Sequence, residues 1–181
     1  MRPLLLFGFC FLTIALGAQQ RPLTEADLLK PSKLLEGELN AASRANDAHV
    51  TQRGRENKVD LQQDGGQTGA NANQMATYQR GWRNQINATQ HGQANQTFVL
   101  QRGNKNTVNS QVQGTDNQTL VVQDGRRNTV DQNIQNSTHI QTQIVQRGND
   151  NTVVQDIQNQ TNKQFQLIQE GNNLKAVIRQ Q

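Results

Sequence analysis

The sequence predicts an all-β protein, a two-sheet β-solenoid of stacked strand-turn-strand rungs with about 22 residues in each rung. The first observation behind this is a hexapeptide, Gln-x-Gly-x-x-Asn, that recurs about every eleven residues. The second is the alternation of small apolar residues with polar residues after each Asn, which is the period of a β-strand. A fixed repeat of this kind is typical of proteins that stack one supersecondary unit on the next.

The composition agrees with a stacked fold and argues against a conventional oily core. Only 33% of the 181 residues are hydrophobic and 4% are aromatic, which is low for a globular domain. The chain contains 30 Gln and 21 Asn residues. Such a composition occurs in disordered chains and in stacked β-structure, where amide side chains form ladders. The regular repeat favours the ordered alternative.

Residues 1–18 have the three parts of a secretory signal peptide: basic Arg2, an apolar run from Leu4 to Leu16, and two small residues at 17 and 18. We therefore expect a secreted protein. The single cysteine, Cys10, lies within this signal. The mature chain is accordingly expected to contain no disulfide and no thiol chemistry.

Residues 19–49 contain no repeat and form the predicted leader. Two interpretations stay open for it: a flexible segment with one marginal helix, or an address recognised by export machinery. Residues 50–181 are the predicted solenoid. Its first unit, from Gln52 to Asn57, is imperfect, and a glycine-rich stretch from Gly65 to Gly69 follows it. The sequence leaves open whether this first unit joins the stack.

The hexapeptide supplies both a turn and a pair of inward amides. Its complete copies are Gln79–Asn84, Gln90–Asn95, Gln101–Asn106, Gln123–Asn128 and Gln146–Asn151. Glycine at the third position is expected to make the turn, because it tolerates backbone angles that other residues avoid. These turn glycines are Gly81, Gly92, Gly103, Gly125 and Gly148. Amides stacked in register can donate to one neighbour and accept from the other, so only the ends of the stack stay unpaired.

Strand alternation also predicts that the two outer faces differ. On one sheet the residues expected to point outward are Phe98, Leu100, Leu120 and Val122, whereas the other sheet points polar residues outward. One explanation is the strand propensity of aromatic and β-branched residues. The other is a lateral surface that bundles filaments or docks a partner.

Basic residues cluster at the predicted turns, among them Arg53, Arg80, Arg102 and Lys105. They are either solvated turn residues or like charges that stack and slow assembly. The net charge of +4 is too small to indicate a nucleic-acid partner.

The repeated hexapeptides, their double period, the signal and the leader together resemble the curlin repeat family. Its members are the subunits of curli, the extracellular functional amyloid fibres of bacterial biofilms. The resemblance covers roughly residues 52–181. It implies export, passage through a dedicated outer-membrane pore with accessory factors, and nucleated polymerisation into fibres for cell adhesion and matrix building. The implied partners are further copies of the chain and a related curli subunit or nucleator.

The resemblance also implies that the inward amides carry the amyloid stacking. In this chain they are Gln79, Asn84, Gln90, Asn95, Gln101, Asn106, Gln123, Asn128, Gln146 and Asn151. Some positions depart from the pattern. Apolar Val112, Ile134 and Ile157 replace Gln, and His139 and Leu174 stand where Asn is expected. These departures should weaken the amide ladders locally while keeping apolar contacts.

No set of residues indicates catalysis or the binding of a metal or cofactor. The three histidines are far apart and have no carboxylate or thiol at a ligand spacing. We therefore expect a structural protein, not an enzyme, with no cofactor, no nucleic-acid partner and no membrane insertion. Two alternatives to a fibre subunit stay open: a minor subunit that nucleates such fibres at the cell surface, and a monomeric surface-binding β-solenoid.

Overall fold

The computed structural model describes residues 46–65 and 71–181, which form eleven β-strands. The predicted signal peptide and the leader up to residue 45 lie outside this part. The strands are β1 (Asp47–Arg55), β2 (Lys58–Asp64), β3 (Gln74–Trp82), β4 (Gln85–Gln93), β5 (Gln96–Asn104), β6 (Thr107–Thr115), β7 (Gln118–Arg126), β8 (Thr129–Asn149), β9 (Thr152–Gln158), β10 (Thr161–Asn172) and β11 (Lys175–Gln180). Within the described ranges no helix is long and apolar enough to cross a membrane.

All strand pairs are parallel, and they form two series that meet in the long strand β8. The first series runs through β1, β3, β5, β7, the C-terminal half of β8 and β10. The second runs through β2, β4, β6, the N-terminal half of β8, β9 and β11. The chain therefore winds as a parallel β-solenoid of about six turns. The predicted all-β solenoid class is confirmed.

Equivalent residues of successive turns stand next to one another, as the repeat predicts. Gln79 pairs with Gln101, and Gln101 pairs with Gln123. The imperfect first unit also joins the stack, because Gln52 pairs with Gln79 and β2 pairs with β4. The glycine-rich stretch thus separates the first two turns along the sequence without removing the first turn from the stack.

The repeat lengthens by one residue in the second half of the chain. The pairing of β6 with β8 shifts between Val112 and Gly114, so that Gly114 pairs with Ser137. Asn136, at the extra position, has a φ of 50°, a conformation that Asn tolerates better than most residues. This insertion accounts for the change in separation between hydrogen-bonded partners in adjacent turns, from 22 residues to 23.

The interior is a narrow core of small apolar side chains contributed by both strand series. Val99 and Val121 of the first series pack with Ile86, Val108 and Val130 of the second, and all five are 0% exposed. β-Branched side chains suit this packing because they fit the pleated surface of a strand. Each turn adds only a few such residues, so its stability depends on the neighbouring turns.

A second apolar cluster corrects the expectation of a solvent-exposed outer stripe. Phe98, Leu100, Leu120 and Val122 lie on the side of their strands opposite the interior, yet each is at most 3% exposed. They point away from the interior as expected, but they are not exposed to solvent in this structure, and a lateral role stays a prediction. The described members of this cluster all belong to the first strand series and pack against one another. Ile168, in the last described turn, pairs with Val145 and with no other described residue, and it is 55% exposed.

Candidate functional site: the amide ladders and the edge turns

A ladder of glutamine side chains runs through the first strand series from one end of the solenoid to the other. Each Nε2 donates to the Oε1 of the glutamine in the next turn, over distances of 2.7 to 2.9 Å. The members in order are Gln52, Gln79, Gln101, Gln123, Gln146 and Gln169. Every donor points the same way, so the ladder has a direction. Within the described ranges Gln52 Oε1 accepts from no glutamine, and Gln169 Nε2 donates to none.

The second N–H of these amides ties the two strand series together. Gln101 Nε2 also donates to the backbone oxygen of Gln85 at 3.0 Å, and Gln169 Nε2 to that of Thr152 at 3.3 Å. A primary amide has two N–H donors, and the inner ladder members use both. This pairing avoids the cost of about 1–3 kcal/mol that an unsatisfied buried polar group carries.

The asparagine that closes each hexapeptide forms a second ladder, for which Asn106 is representative. Its backbone N–H and its Nδ2 both reach Asn84 Oδ1, at 3.1 and 3.2 Å. Its Nδ2 also donates to the backbone oxygens of Arg102 and Gly125, at 3.0 and 3.1 Å. Asn128 repeats the contact with Asn106 one turn later. One side chain therefore holds its own turn and joins it to both neighbours.

All ten amides predicted to face inward are 0% exposed. They are Gln79, Asn84, Gln90, Asn95, Gln101, Asn106, Gln123, Asn128, Gln146 and Asn151. The hydrogen bonds that they make join turns of one chain. A role between chains stays a prediction.

In the second strand series the glutamine ladder stops where apolar residues replace Gln. Gln63 Nε2 donates to Gln90 Oε1 at 3.1 Å, but the residue that pairs with Gln90 in the next turn is Val112. Gln90 Nε2 donates instead to Thr97 Oγ1 at 2.8 Å. Val112 begins a buried apolar row with Ile134 and the isoleucine after it. The expected exchange of an amide ladder for apolar contacts is confirmed in this row.

Asn117 also belongs to an asparagine ladder, although the sequence analysis did not include it. The sequence analysis also assigned the next position of that ladder to the wrong residue. The Asn117 backbone N–H donates to Asn95 Oδ1 at 3.2 Å, and the Ile140 N–H donates to Asn117 Oδ1 at 3.0 Å. Ile140, not His139, therefore takes the Asn position. His139 Nε2 lies instead 3.1 Å from Asp116 Oδ2. The one-residue insertion shifts the asparagine position from His139 to Ile140. The separation of 22 residues between Asn95 and Asn117 matches the repeat, so the sequence could have identified Asn117.

The turn glycines stack so closely that a side chain has no room. A Cβ at Gly103 would lie 1.9 Å from the backbone oxygen of Gly125, and one at Gly81 would lie 2.0 Å from that of Gly103. The other predicted turn glycines, Gly92, Gly125 and Gly148, are equally crowded. Gly171 in the last turn differs, because a Cβ there would meet only Leu174 Cδ1, at 3.6 Å.

Charged residues at the turns form ion pairs between adjacent turns. Arg102 Nη1 lies 3.7 Å from Asp124 Oδ2. Arg127 makes two hydrogen bonds to Asp150, of 2.6 and 2.7 Å. Further pairs of this kind are Arg83 with Glu56 and Arg147 with Glu170. Opposite charges therefore neighbour one another at these turns, and an effect of the turn charges on assembly stays a prediction.

Like charges do stack near the N-terminal end. Arg53 pairs in register with Arg80, and Arg80 with Arg102. Beyond Arg102 the same row alternates in sign, through Asp124 and Arg147. The N-terminal edge of this row is thus left with a net positive charge.

We expect the Arg127–Asp150 pair to be visible in a pH titration. The hydrogen bond from Arg127 holds the pKa of Asp150 below its ordinary value. Stability from this pair is therefore present above the ordinary aspartate pKa and is lost as pH falls through the lower folded-state pKa. Arg127→Gln should raise the pKa of Asp150 towards its ordinary value, measured by NMR titration of the carboxyl carbon. An unchanged titration of Asp150 would contradict the pairing.

Residues of the two edge turns make fewer packing and hydrogen-bond contacts than the equivalent residues of the inner turns. Val50 in β1 belongs to the interior row of Val99, yet Val50 is 44% exposed and Val99 is 0% exposed. At the other edge the Leu174 N–H donates to Asn151 Oδ1 at 3.0 Å, and the leucine side chain has no oxygen with which to continue the ladder. Each edge is thus an incomplete copy of the contacts that the inner turns make.

The arrangement offers stacking contacts between turns. Among the described residues no group of three or more His, Cys, Asp or Glu side chains is placed to hold a metal ion. In comparisons with known proteins, no family model matches the chain, and no curated protein or solved structure is significantly similar to it.

Proposed function

We propose that the chain is a secreted structural subunit that polymerises into extracellular fibres of the curli type, a functional amyloid used for cell adhesion and biofilm matrix. The observation that carries the proposal is the incompleteness of the two edge turns. Within the described part of the chain, inner amides have partners on both sides, whereas Gln52 and Gln169 each lack a glutamine partner on their outer side. Another copy of the chain offers the groups that both edges lack.

The finer architecture belongs to the same proposal: two facing sheets, with one rung of about 22 residues. It is supported by the interior cluster, to which both strand series contribute. It is also supported by the bonds from glutamine side chains of one series to backbone oxygens of the other. A thin two-sheet rung buries little apolar area by itself, so added rungs are a source of stability.

Open solenoid edges are an unusual feature for a protein that stays monomeric. Solenoids normally need terminal capping units with a polar outer face to remain soluble, and unpaired strand edges invite further pairing. Among the strands that the structure describes, β1 and β2 at one edge, and β10 and β11 at the other, each pair with a strand on one side only. This favours assembly over the alternative of a monomeric surface-binding solenoid.

Location and partners follow from the proposed assembly. We propose export directed by the predicted signal, passage through an outer-membrane secretion pore with accessory factors, and a final place in a fibre at the bacterial cell surface. The partners are other copies of this chain and a related curli subunit or nucleator. Neither nucleic acid nor insertion into a membrane enters this proposal.

The proposal is tested by incubating the purified mature chain at micromolar concentration. We expect thioflavin-positive fibres that seed fresh monomer, with fibre diffraction at about 4.7–4.8 Å and about 10 Å, the strand and sheet spacings of cross-β structure. Monomer that persists after seeding would contradict the proposal and favour the surface-binding solenoid.

A nucleator is the second candidate, because Leu174 ends the asparagine ladder in the last turn. A nucleator would be expected to shorten the lag of a related subunit when added in substoichiometric amounts. Fibres that form from this chain alone, with no effect on a related subunit, would exclude that role.

A further inference from the structure

We propose that residues 31–45, the C-terminal part of the predicted leader, pack over the outer apolar face of the first strand series. That face, here called the outer patch, consists of apolar side chains that point away from the interior: Ala76, Tyr78, Phe98, Leu100, Leu120, Val122 and Val145. The inference concerns a single subunit and does not depend on polymerisation. It gives the leader a structural role within its own chain.

The outer patch is more deeply buried than neighbouring turns alone would make it. Phe98 and Leu120 are 2% and 1% exposed, although both point away from the interior. Val154 points outward in the second strand series and also has a neighbour on each side, Asp131 and Val177, yet it is only half-buried. Contacts between adjacent turns therefore do not suffice to bury an outward side chain, and the outer patch has a further cover.

The leader is the part of the chain that can supply this cover. Among the described residues, the apolar side chains that pack on the outer patch all belong to the first strand series itself. Residues 66–70 also lie outside the described ranges, but they are only five residues, and Ala70 is their one apolar side chain. The leader is longer and contains five leucines, namely Leu28, Leu29, Leu34, Leu35 and Leu39.

The leader sequence matches the outer patch in apolar pattern and in length. Leu35, Leu39 and Ala42 recur at the i, i+4 and i+7 positions that form one face of a helix. A helix over residues 32–42 would be about 16 Å long. The patch crosses four turns, and three strand spacings of about 4.8 Å make it about 14 Å long. A helix this short is marginal alone, so it needs such a surface to pack on.

The leader also joins the solenoid close to the outer patch. It leads into β1, the first strand of the same series, where Asp47 pairs with Gln74. Gln74 lies on the outward side of β3, two residues before Ala76. The four residues 43–46 can span up to about 13 Å, whereas adjacent turns are only about 5 Å apart. The leader can therefore reach the patch without crossing the solenoid.

Exposure returns on either side of the outer patch. His49, which pairs with Ala76 in the first described turn, is exposed, and Ile168, which pairs with Val145, is 55% exposed. The cover thus extends over the inner turns and not over the whole face, which fits a short segment of chain. By covering the patch, the leader reduces the apolar surface that a single subunit offers for sideways association.

Thiol labelling of residues 19–181 tests this cover, because these residues include no cysteine and no part of the predicted signal. Val122→Cys places a thiol in the outer patch, whereas Gln111→Cys places one at an exposed, outward position of the second series. The experiment is done at a protein concentration too low for fibres to form. We expect a maleimide to label Val122→Cys at least roughly 10-fold more slowly than Gln111→Cys, since labelling must wait for local opening.

Substitutions in the leader identify what covers the patch. Leu35→Ser combined with Leu39→Ser removes the apolar face of the leader and should accelerate labelling of Val122→Cys roughly 10-fold, while labelling of Gln111→Cys stays unchanged. Lys33→Ser combined with Asn40→Ser is the matched control, because both residues lie on the opposite face of the same helix. This control should keep the protection. Circular dichroism should show the same β-structure in all variants.

Rapid labelling of Val122→Cys with the leader intact would overturn the proposal, because the outer patch would then be open. Slow labelling that persists after the two leucine substitutions would overturn it as well. Protection that is lost on dilution would assign the cover to a second copy of the chain instead of the leader. Fibre growth is measured separately, so its failure would contradict the proposed polymerisation and leave the packing of the leader standing.

Discussion

Gly103→Ala is expected to destabilise the solenoid by roughly 4 kcal/mol or more, since backbone strain and overpacking each cost about 1–3 kcal/mol and act together here. The new Cβ would lie 1.9 Å from the backbone oxygen of Gly125, and the φ of Gly103 is +104°. The obstacle is backbone held by its own turn, so it cannot move aside as a side chain could. Urea unfolding at low protein concentration, followed by circular dichroism, measures the loss.

Gly171→Ala is the matched control for this prediction. Its φ of +132° carries a similar strain, but its Cβ meets only Leu174 Cδ1 at 3.6 Å. We expect it to lose only the strain contribution, about 1–2 kcal/mol. Equal losses for the two variants would show that strain alone matters and that the close stacking of the turns does not.

Asn106→Ala is expected to cost about 3–5 kcal/mol, because it leaves several buried backbone groups without partners at about 1–3 kcal/mol each. The lost side chain donates to the backbone oxygens of Arg102 and Gly125. Its Oδ1 also accepts the backbone N–H of Asn128 at 3.1 Å. The free energy of unfolding should fall while the slope of the urea transition stays unchanged.

Asn172→Ala is the matched control at the edge of the stack. Asn172 Oδ1 accepts bonds from the backbone N–H and the Nδ2 of Asn149, at 2.8 and 3.0 Å, but both residues are solvent-accessible. Water can replace those bonds, so we expect a loss of less than about 1 kcal/mol. A small effect at Asn106 as well would contradict the view that buried asparagines hold the turns together.

Together the four substitutions separate two sources of order in the turn. The glycines set how closely successive turns approach, and the asparagines satisfy the backbone groups that this approach buries. Both contacts recur along the row of Gly103 and the row of Asn106.

Much of the fold could be predicted from the sequence because the repeat reports directly on stacking. The spacing of Gln79, Gln101 and Gln123 anticipates their pairing in register, and strand alternation anticipates which residues are buried inside. The position of Asn106 at the end of its hexapeptide likewise anticipates its ladder. These features are local and repeated, so each copy supports the interpretation of the others.

Other features depend on contacts that no local pattern reveals. The burial of Phe98 and Leu120 was missed because alternation shows which side of a strand a residue occupies and not whether that side is covered. The specific pairing of Arg127 with Asp150 was not predicted, because the two residues are not copies of one repeated residue and no periodic pattern links them. The shift from His139 to Ile140 needed the site of the insertion, which the pairing of β6 with β8 supplies.

The sequence by itself determined the all-β class, the stacking period and the inward amides, because a rung can bury its small residues only against a copy of itself. The tertiary structure alone decided that the imperfect first unit joins the stack, that the glutamine ladder has a direction, and that Gly171 is the uncrowded member of its row. The physical reason is that each of these depends on which groups find a partner in the next turn. Contacts between residues in adjacent turns form only in the folded chain. The structure is therefore needed to identify the edge residues that lack such contacts.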